Sequence, residues 1–139
     1  RALWLGGVEW PGEPGLAAHS DGDAVCHAIC DAMFSAAGLG DMGSRFGTED
    51  ARFAEASGAV FIAETLAIVA ASGFRVINVA VQVIANRPKI GSRRAELAAT
   101  LSALVGAPVS VGATTTDGLG FTGRGEGVTA IATCQLSSS

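Results

Sequence analysis

The sequence is poor in charge and in histidine, and it lacks a segment that would cross a membrane. Only 16% of its 139 residues are charged and only two are histidines, against a usual charged share of about 25%. The longest uncharged run, residues 97–116, is broken by Gly106-Ala107-Pro108 and ends in threonines, which excludes a transmembrane helix. The net charge of −4 and the pI near 5.0 argue against general nucleic-acid binding.

Cysteine is also scarce, with only Cys26, Cys30 and Cys134 in the chain. An odd number of cysteines without a visible secretory signal predicts a cytoplasmic protein in a reducing compartment. Cys26 and Cys30 lie close to His27 in sequence, which raises the possibility of a zinc cluster. On a helix, however, both point about 100° away from His27, so we interpret them as small buried residues.

Apolar residues, in contrast, make up 49% of the chain, and the mean hydropathy of +0.42 is high. We predict one domain over residues 1–139, long enough to form its own core. Since no membrane segment accounts for the apolar excess, we expect an oligomer that buries it between subunits.

Strand and helix patterns alternate along the chain, which predicts an α+β fold, a two-layer domain with a mixed sheet and helices on one face. Prolines favour a turn over residues 9–15, and we expect the serines at 137–139 to be frayed. The predicted helices cover residues 23–37, 58–72 and 93–105, and the predicted strands cover 2–5, 74–85, 108–115 and 128–136. Long loops are predicted over 38–50 and 117–127.

One segment near the start of the chain contains both histidines and three carboxylates. A polar turn leads into an alanine-rich helix, for which Ser20, Asp21 or Asp23 are candidate caps. Along this helix Asp23, His27 and Asp31 are four residues apart and therefore share one stripe. A neutral imidazole among carboxylates is a suitable metal ligand. Because one helix cannot complete a tetrahedral site, the other ligands must come from elsewhere.

Polar loops at residues 19–23, 40–43 and 113–127 are candidate phosphate-binding segments. In the third loop, threonine hydroxyls and glycine amides suit phosphate oxygens, Asp117 suits a divalent cation, and Arg124 suits phosphate or carboxylate. No dinucleotide or P-loop fingerprint is present, and no Ser-His-Asp or Cys-His arrangement is convincing. A metal site and phosphate-binding loops without a strong base favour phosphoryl transfer.

Taken together, these segments resemble the 2-C-methyl-D-erythritol 2,4-cyclodiphosphate synthase family, in the family's order and over essentially the whole chain. The matching segments are residues 18–23 with His27-Ala28 and Asp31-Ala32, residues 40–43, residues 87–90, and residues 113–127. The resemblance implies a homotrimer with active sites between subunits. It also implies metal-dependent intramolecular phosphoryl transfer in non-mevalonate isoprenoid biosynthesis. This lyase reaction converts 4-diphosphocytidyl-2-C-methyl-D-erythritol 2-phosphate to the 2,4-cyclodiphosphate plus CMP.

The resemblance also implies roles for individual residues. His27 is expected to be a zinc ligand, and Asp117 is expected to reach a second divalent cation, magnesium or manganese. His19 and Thr115 are expected to bind the substrate and stabilise the transition state. Residues 41–43 would hold the methylerythritol hydroxyls, residues 46–50 would close over them, and residues 85–91 with 114–117 would form the cytidine-diphosphate pocket. The further substrate-binding positions are Ser20, Asp41, Met42, Gly43, Phe46, Gly47, Thr48, Glu49, Asp50, Ala85, Asn86, Arg87, Pro88, Lys89, Ile90, Gly91, Thr114, Thr116, Phe121 and Arg124.

The chain departs from the family pattern in three respects. The family's other two zinc ligands, in an Asp-x-His motif, precede Arg1, so this chain is expected to supply one ligand of three. Asp117 stands where the family usually has glutamate. The segment 46–50 has the sequence Phe-Gly-Thr-Glu-Asp instead of Phe-Pro-Asp-Thr-Asp, which predicts a more flexible loop. The resemblance also implies that Phe121 and Arg124 lie at the trimer axis or at the edge of the site, and that Arg124 and Glu126 form a salt bridge between subunits.

Three alternatives stay open at this point. One is a catalytically silent trimer that binds phosphate or isoprenoid diphosphate. Another is a zinc hydrolase that acts through a metal-bound water. The third keeps the synthase chemistry but places the chain within a fusion to a cytidylyltransferase.

Overall fold

The computed structural model describes residues 2–14, 22–47 and 57–139. Its elements in chain order are β1 (Ala2–Leu5), β2 (Val8–Pro14), α1 (Ala24–Ala37), α2 (Met42–Phe46), α3 (Gly58–Ala71), β3 (Phe74–Ile84), a 3-10 helix (Ile90–Arg93), α4 (Arg94–Val105), β4 (Val109–Thr114), α5 (Gly120–Gly123) and β5 (Thr129–Ser138).

The centre of the fold is a three-stranded sheet with the strand order β4-β3-β5. β3 pairs in parallel with β4, from Val79 opposite Val109 to Ile84 opposite Thr114. It pairs antiparallel with β5 on its other side. The sheet is therefore mixed, as predicted. β1 and β2 form a separate antiparallel hairpin.

Three helices pack on one face of this sheet. Val79, Val81 and Val83 of β3 are buried on that face, whereas Gln82 between them is exposed, because successive side chains of a strand point to opposite faces. α1 lies against β5 and β3, α3 against β3, and α4 against β4. On the opposite face, Ile131 of β5 pairs with Gln82 and is 58% exposed. The described residues thus form the predicted two-layer α+β arrangement.

Asp23, immediately before α1, joins this helix to the β1–β2 hairpin. Its side chain is fully buried. Oδ1 accepts hydrogen bonds from the amides of Cys26 (3.0 Å) and Gly6 (2.9 Å), and Oδ2 accepts one from the Gly7 amide (2.8 Å). Gly6 and Gly7 have φ values of +69° and +79°, which allow the tight turn that brings both amides to one carboxylate. Asp23 is therefore the cap among the predicted candidates, while Ser20 and Asp21 lie outside the described residues.

Two sequence-based expectations about the strands were wrong. Residues 9–15 were expected to form a turn, but β2 extends over Val8–Pro14. Its prolines are compatible with a strand that pairs, within the described residues, only with β1, since the other edge needs no amide donors. The final serines are paired instead of frayed. Ser138 lies opposite Phe74 in the sheet, and the Ser139 amide donates to the Gly73 carbonyl (2.8 Å).

The two long predicted loops each contain a short helix, α2 in the first and α5 in the second. The helix predicted from residue 93 begins as an α-helix at Arg94, after the 3-10 helix. Across the described ranges, no helix combines the length and the apolar character needed to span a bilayer.

We expect Asp23→Ala to lower the free energy of unfolding by about 3 kcal/mol or more, because three backbone amides lose a buried, charged acceptor. Ser57→Ala is the matched control. Ser57 caps α3 through one exposed bond from the Val60 amide (3.3 Å), so its loss should be about 1 kcal/mol. Urea unfolding at a single protein concentration measures both losses. Equal losses in the two variants would contradict the joining role of Asp23.

Candidate functional site

His27 lies on α1, where three helices meet. Its ring contacts Phe61 of α3 edge-on, with centroids 5.2 Å apart and an interplanar angle of 88°. Phe61 packs against Phe46 at the end of α2 (5.4 Å between centroids), and Phe46 packs against Phe34 of α1 (5.7 Å). This aromatic cluster holds α2, which carries predicted substrate-binding residues, beside the predicted metal ligand.

The two carboxylates predicted to share a stripe with His27 both bind backbone amides. Asp23 caps α1, as described above. Asp31, one turn beyond His27, accepts a hydrogen bond from the Met42 amide (2.8 Å to Oδ1). Because Met42 is the first residue of α2, Asp31 fixes the start of α2 relative to α1.

The predicted substrate-binding residues Asp41, Met42 and Gly43 lie at the beginning of α2, where Asp41 and Gly43 are exposed and Met42 packs partly against the core. Asp41 caps this helix through a reciprocal pair of bonds. Its Oδ1 accepts from the Ser44 amide (2.8 Å), and its own amide donates to the Ser44 Oγ (3.2 Å). The Ser44 amide and hydroxyl lower the pKa of the Asp41 carboxyl, so this group is a carboxylate at neutral pH. Phe46 and Gly47 end the helix.

Five predicted site residues that come before α1 or after α2 in the chain lie outside the described residues. They are His19, Ser20, Thr48, Glu49 and Asp50.

The parallel pairing of β3 and β4 creates a cleft at the carboxyl ends of both strands. Since Ile84 lies opposite Thr114, the segments that follow the two strands leave the sheet side by side. They line a cleft of about 280 Å³. The lining residues are Ala85, Pro88, Lys89, Ile90, Gly91, Ser92, Ala113, Thr114 and Thr115. Most of the residues predicted for the cytidine-diphosphate pocket are thus brought together.

Asn86 and Arg87 were predicted to bind substrate but are not among the residues that line this cleft. The Asn86 amide donates to the Thr122 carbonyl (3.3 Å), which ties the loop to α5. Arg87, which precedes a cis peptide bond to Pro88, forms an ion pair with Glu13 of β2 (Nη2 to Oε2, 3.1 Å). The described contacts of both residues hold the loop in place.

Thr116 and Asp117 form a turn directly beyond the cleft. The Leu119 amide donates to the Thr116 carbonyl (3.0 Å), and Asp117 has a φ of +55°. Aspartate is among the residues that adopt this left-handed conformation most readily. The Asp117 amide donates to the Thr115 Oγ1 (3.3 Å), so the backbone of this exposed residue is held next to a lining residue. The Thr116 hydroxyl lies 3.1 Å from the Thr122 hydroxyl, which stabilises the same turn.

Phe121 and Arg124 lie in and just after α5. Phe121 is 51% exposed. Arg124 forms a two-pronged pair with Glu126, with Nε 2.9 Å from Oε2 and Nη2 3.1 Å from Oε1. Arg124 and Glu126 therefore pair within one chain, and the salt bridge expected between subunits stays a prediction.

The described residues provide one imidazole but not a complete metal site. Within residues 2–14, 22–47 and 57–139, no group of three or more His, Cys, Asp or Glu side chains is arranged to hold an ion. Cys26 and Cys30 are fully buried, as predicted. Burial raises the pKa of the Cys30 thiol to about 12, as expected for a cysteine that packs in the core. The partly exposed imidazole of His27 fits zinc as a single member of a ligand set.

Comparison with known proteins adds the deciding observation. The YgbB family matches residues 1–137 of the sequence. This chain belongs to the YgbB family. One relative is named "Bifunctional enzyme IspD/IspF", from Clavibacter michiganensis subsp. michiganensis. It is 63% identical over 133 residues, which cover 96% of this chain and 32% of the relative.

A second YgbB relative is the 2-C-methyl-D-erythritol 2,4-cyclodiphosphate synthase of Acidothermus cellulolyticus, 52% identical over 133 residues, with 96% of this chain and 83% of the relative covered. A solved structure of a 2C-methyl-D-erythritol-2,4-cyclodiphosphate synthase in a CDP-bound form has a TM-score of 0.89. It is 36% identical and is matched over 99% of this chain and 91% of that chain. The family and the α+β fold predicted from the motifs are confirmed. The chain spans about a third of the bifunctional relative, so a fusion stays an alternative.

Ser92 and Ala113 line the cleft of this YgbB chain but were not among the residues predicted for the cytidine-diphosphate pocket, although Ala113 begins the candidate phosphate-binding loop. Ala113 lies opposite Val83 in the parallel pairing of β3 and β4, so a correct prediction of that register would have placed it at the cleft. Ser92 follows the predicted loop by one residue, and its hydroxyl donates to the Lys89 carbonyl (2.7 Å). The sequence contains no signal for that local bond.

We expect Asp31→Ala to loosen the start of α2, because the Met42 amide loses its acceptor. Amide hydrogen exchange over residues 42–46 should accelerate about tenfold. Asp31→Asn keeps an acceptor oxygen and should change exchange less. Ser35→Ala, at an exposed position one turn farther along α1, is the control. Unchanged exchange in Asp31→Ala would show that the bond does not fix α2.

Proposed function

We propose that this chain converts 4-diphosphocytidyl-2-C-methyl-D-erythritol 2-phosphate to 2-C-methyl-D-erythritol 2,4-cyclodiphosphate and CMP, in non-mevalonate isoprenoid biosynthesis. The observation that carries the proposal is the cleft beyond β3 and β4. Its lining contains most of the residues that the family resemblance assigns to the cytidine-diphosphate pocket, and a similar solved structure is a CDP-bound form. A relative that this chain covers over 83% of its length bears the synthase name.

The proposed reaction places few demands on acid–base chemistry. An oxygen of the 2-phosphate attacks the nearer phosphorus of the diphosphate, a new P–O bond forms, and the bond from that phosphorus to the CMP oxygen breaks. The nucleophile is already an anion, and the leaving group departs as a phosphate. The protein therefore mainly has to bend an anionic chain onto itself and neutralise its charge.

The residues of the cleft suit these tasks. The exposed ammonium of Lys89 and the hydroxyls of Thr114 and Thr115 offer a charge and donors to phosphate oxygens. We assign transition-state stabilisation to Thr115 and His19, and the methylerythritol hydroxyls to residues 41–43 at the start of α2. The Asp31 bond to the Met42 amide supports that assignment, because it sets the position of α2.

Metal ions complete the proposal. We assign His27 as one zinc ligand, with further ligands from outside the described residues, and Asp117 as the carboxylate for magnesium or manganese. When bound, such cations polarise the diphosphate and offset its charge. The position of His27 on the partly exposed side of α1 supports the first assignment, and the fixed turn at Asp117 supports the second.

We further propose a cytoplasmic homotrimer with active sites between subunits. The sheet face opposite the helices supports burial between copies. Ile131 on that face is 58% exposed, and Leu119 and Phe121 beside α5 are 74% and 51% exposed. Burial of these exposed apolar side chains between copies would remove them from water.

A product assay on the full-length protein tests the proposed reaction. We expect cyclic diphosphate and CMP in equal amounts, and His27→Ala should lose activity by about 100-fold or more together with its zinc. Sedimentation should show the same oligomer for both proteins, and Ser35→Ala on α1 should match the wild type. Release of linear methylerythritol phosphates without cyclic product would support the hydrolase alternative. Stoichiometric zinc retained by His27→Ala would refute the ligand assignment.

Substitutions at Asp117 and Thr115 separate charge from hydrogen bonding. Asp117→Asn keeps a residue that tolerates positive φ but removes the charge, so we expect a loss of turnover that excess magnesium or manganese partly relieves. Thr115→Val removes a donor, so turnover should fall by about tenfold without metal rescue. Melting temperature is the control for folding. A loss in Asp117→Asn that is confined to stability and independent of metal would remove the second-cation role.

A further inference from the structure

Arg93 is a residue of the 3-10 helix that has no role in the reaction assigned above, yet its side chain makes four separate contacts. Nη1 donates to the Glu9 carbonyl on β2 (2.6 Å). Nε and Nη2 donate to the two carboxylate oxygens of Glu96 (2.8 and 2.9 Å). The guanidinium carbon lies 4.5 Å from the ring centroid of Trp10.

These contacts attach the end of the cleft loop to a fixed strand. Trp10 is only 6% exposed, and its Nε1 donates to the Leu5 carbonyl (3.2 Å), so β2 is held firmly on β1. Glu9 and Trp10 are therefore rigid partners for Arg93, although 84 sequence positions separate Glu9 from it. The ion pair with Glu96 alone lies largely on the surface and would contribute little.

A second attachment lies at the other end of the same loop. Arg87 pairs with Glu13 of β2 at 3.1 Å. The stretch between the two attachments, residues 88–92, contains five of the nine residues that line the cleft. Both arginines thus bind one strand, and the lining segment lies between their two attachments.

We propose that Arg93 is a positioning residue for the nucleotide cleft, which anchors the loop of residues 88–92 to β2 and so sets the width of the site for a nucleoside diphosphate. This inference rests on the proposed function. Arg93 does not line the cleft, so it acts through the loop. Its planar guanidinium donates to the Glu9 carbonyl and the Glu96 carboxylate at the same time and stacks on the Trp10 indole. The single ammonium group of lysine does not reproduce this combination of contacts.

The test measures binding of CDP to the full-length protein by calorimetry, with Arg93→Met, Arg93→Lys and Arg94→Met. Arg94 is the matched control, because it is the next residue in the chain, carries the same side chain and is exposed. We expect the dissociation constant for CDP to rise about tenfold in Arg93→Met and less in Arg93→Lys. In turnover, KM should rise in the same order while kcat changes little. Arg94→Met should match the wild type in both measurements.

A purely structural role for Arg93 would lower the melting temperature and leave the dissociation constant of the folded protein unchanged, and that result would overturn the inference. If Arg93→Met does not fold, the same comparison of melting temperature and dissociation constant is made with Arg93→Lys. Equal weakening in Arg94→Met would also overturn the inference, since it would indicate a general effect of charge. If the wild type does not bind CDP, the proposed function fails first.

Discussion

The arrangement of this molecule depends on the hydrogen bonds that the buried carboxylate of Asp23 accepts from backbone amides. A charged group inside a protein is tolerated only where hydrogen bonds replace its hydration. Asp23 meets that condition with amides from two different elements, the turn of the β1–β2 hairpin and the first turn of α1. Once α1 is fixed in this way, the positions of His27 and Asp31 along it are fixed too. Asp31 then sets the start of α2 through the Met42 amide.

The second constraint is the parallel pairing of β3 with β4. Parallel strands end at the same edge of a sheet, so the segments that follow them become neighbours although they are distant in sequence. Here this juxtaposition brings the loop after β3 to the threonines after β4. The segment after β3 contains only a short 3-10 helix, and it is held by side-chain contacts at both ends, from Arg87 to Glu13 and from Arg93 to Glu9 and Trp10. The site is therefore built from segments whose relative placement is set by the more rigid elements around them.

The elements that the sequence predicted well are those with a local cause. The alanine-rich helix after Asp23 and the inward orientation of Cys26 and Cys30 follow from the helical period. The strand Phe74–Ile84 follows from its β-branched residues. The prediction failed for β2, because Pro11 signals a turn unless it is known that the strand lies at an edge. It failed for Ser138 because its partner, Phe74, begins a strand far earlier in the chain.

The sequence by itself determined the identity of the chemical groups, which are an imidazole on a helix, a threonine-rich loop and a lysine after a proline, together with the family that their order indicates. These are properties of residue type and spacing, and they need no knowledge of neighbours. Only the tertiary structure decided which groups share a cleft, which carboxylates are used as caps, and which arginines act as anchors. In the fold, the guanidinium group of Arg87 pairs with Glu13 and that of Arg124 pairs with Glu126. The Arg87 partner lies on a strand far away in the sequence, so only the fold could determine that this acceptor is within reach.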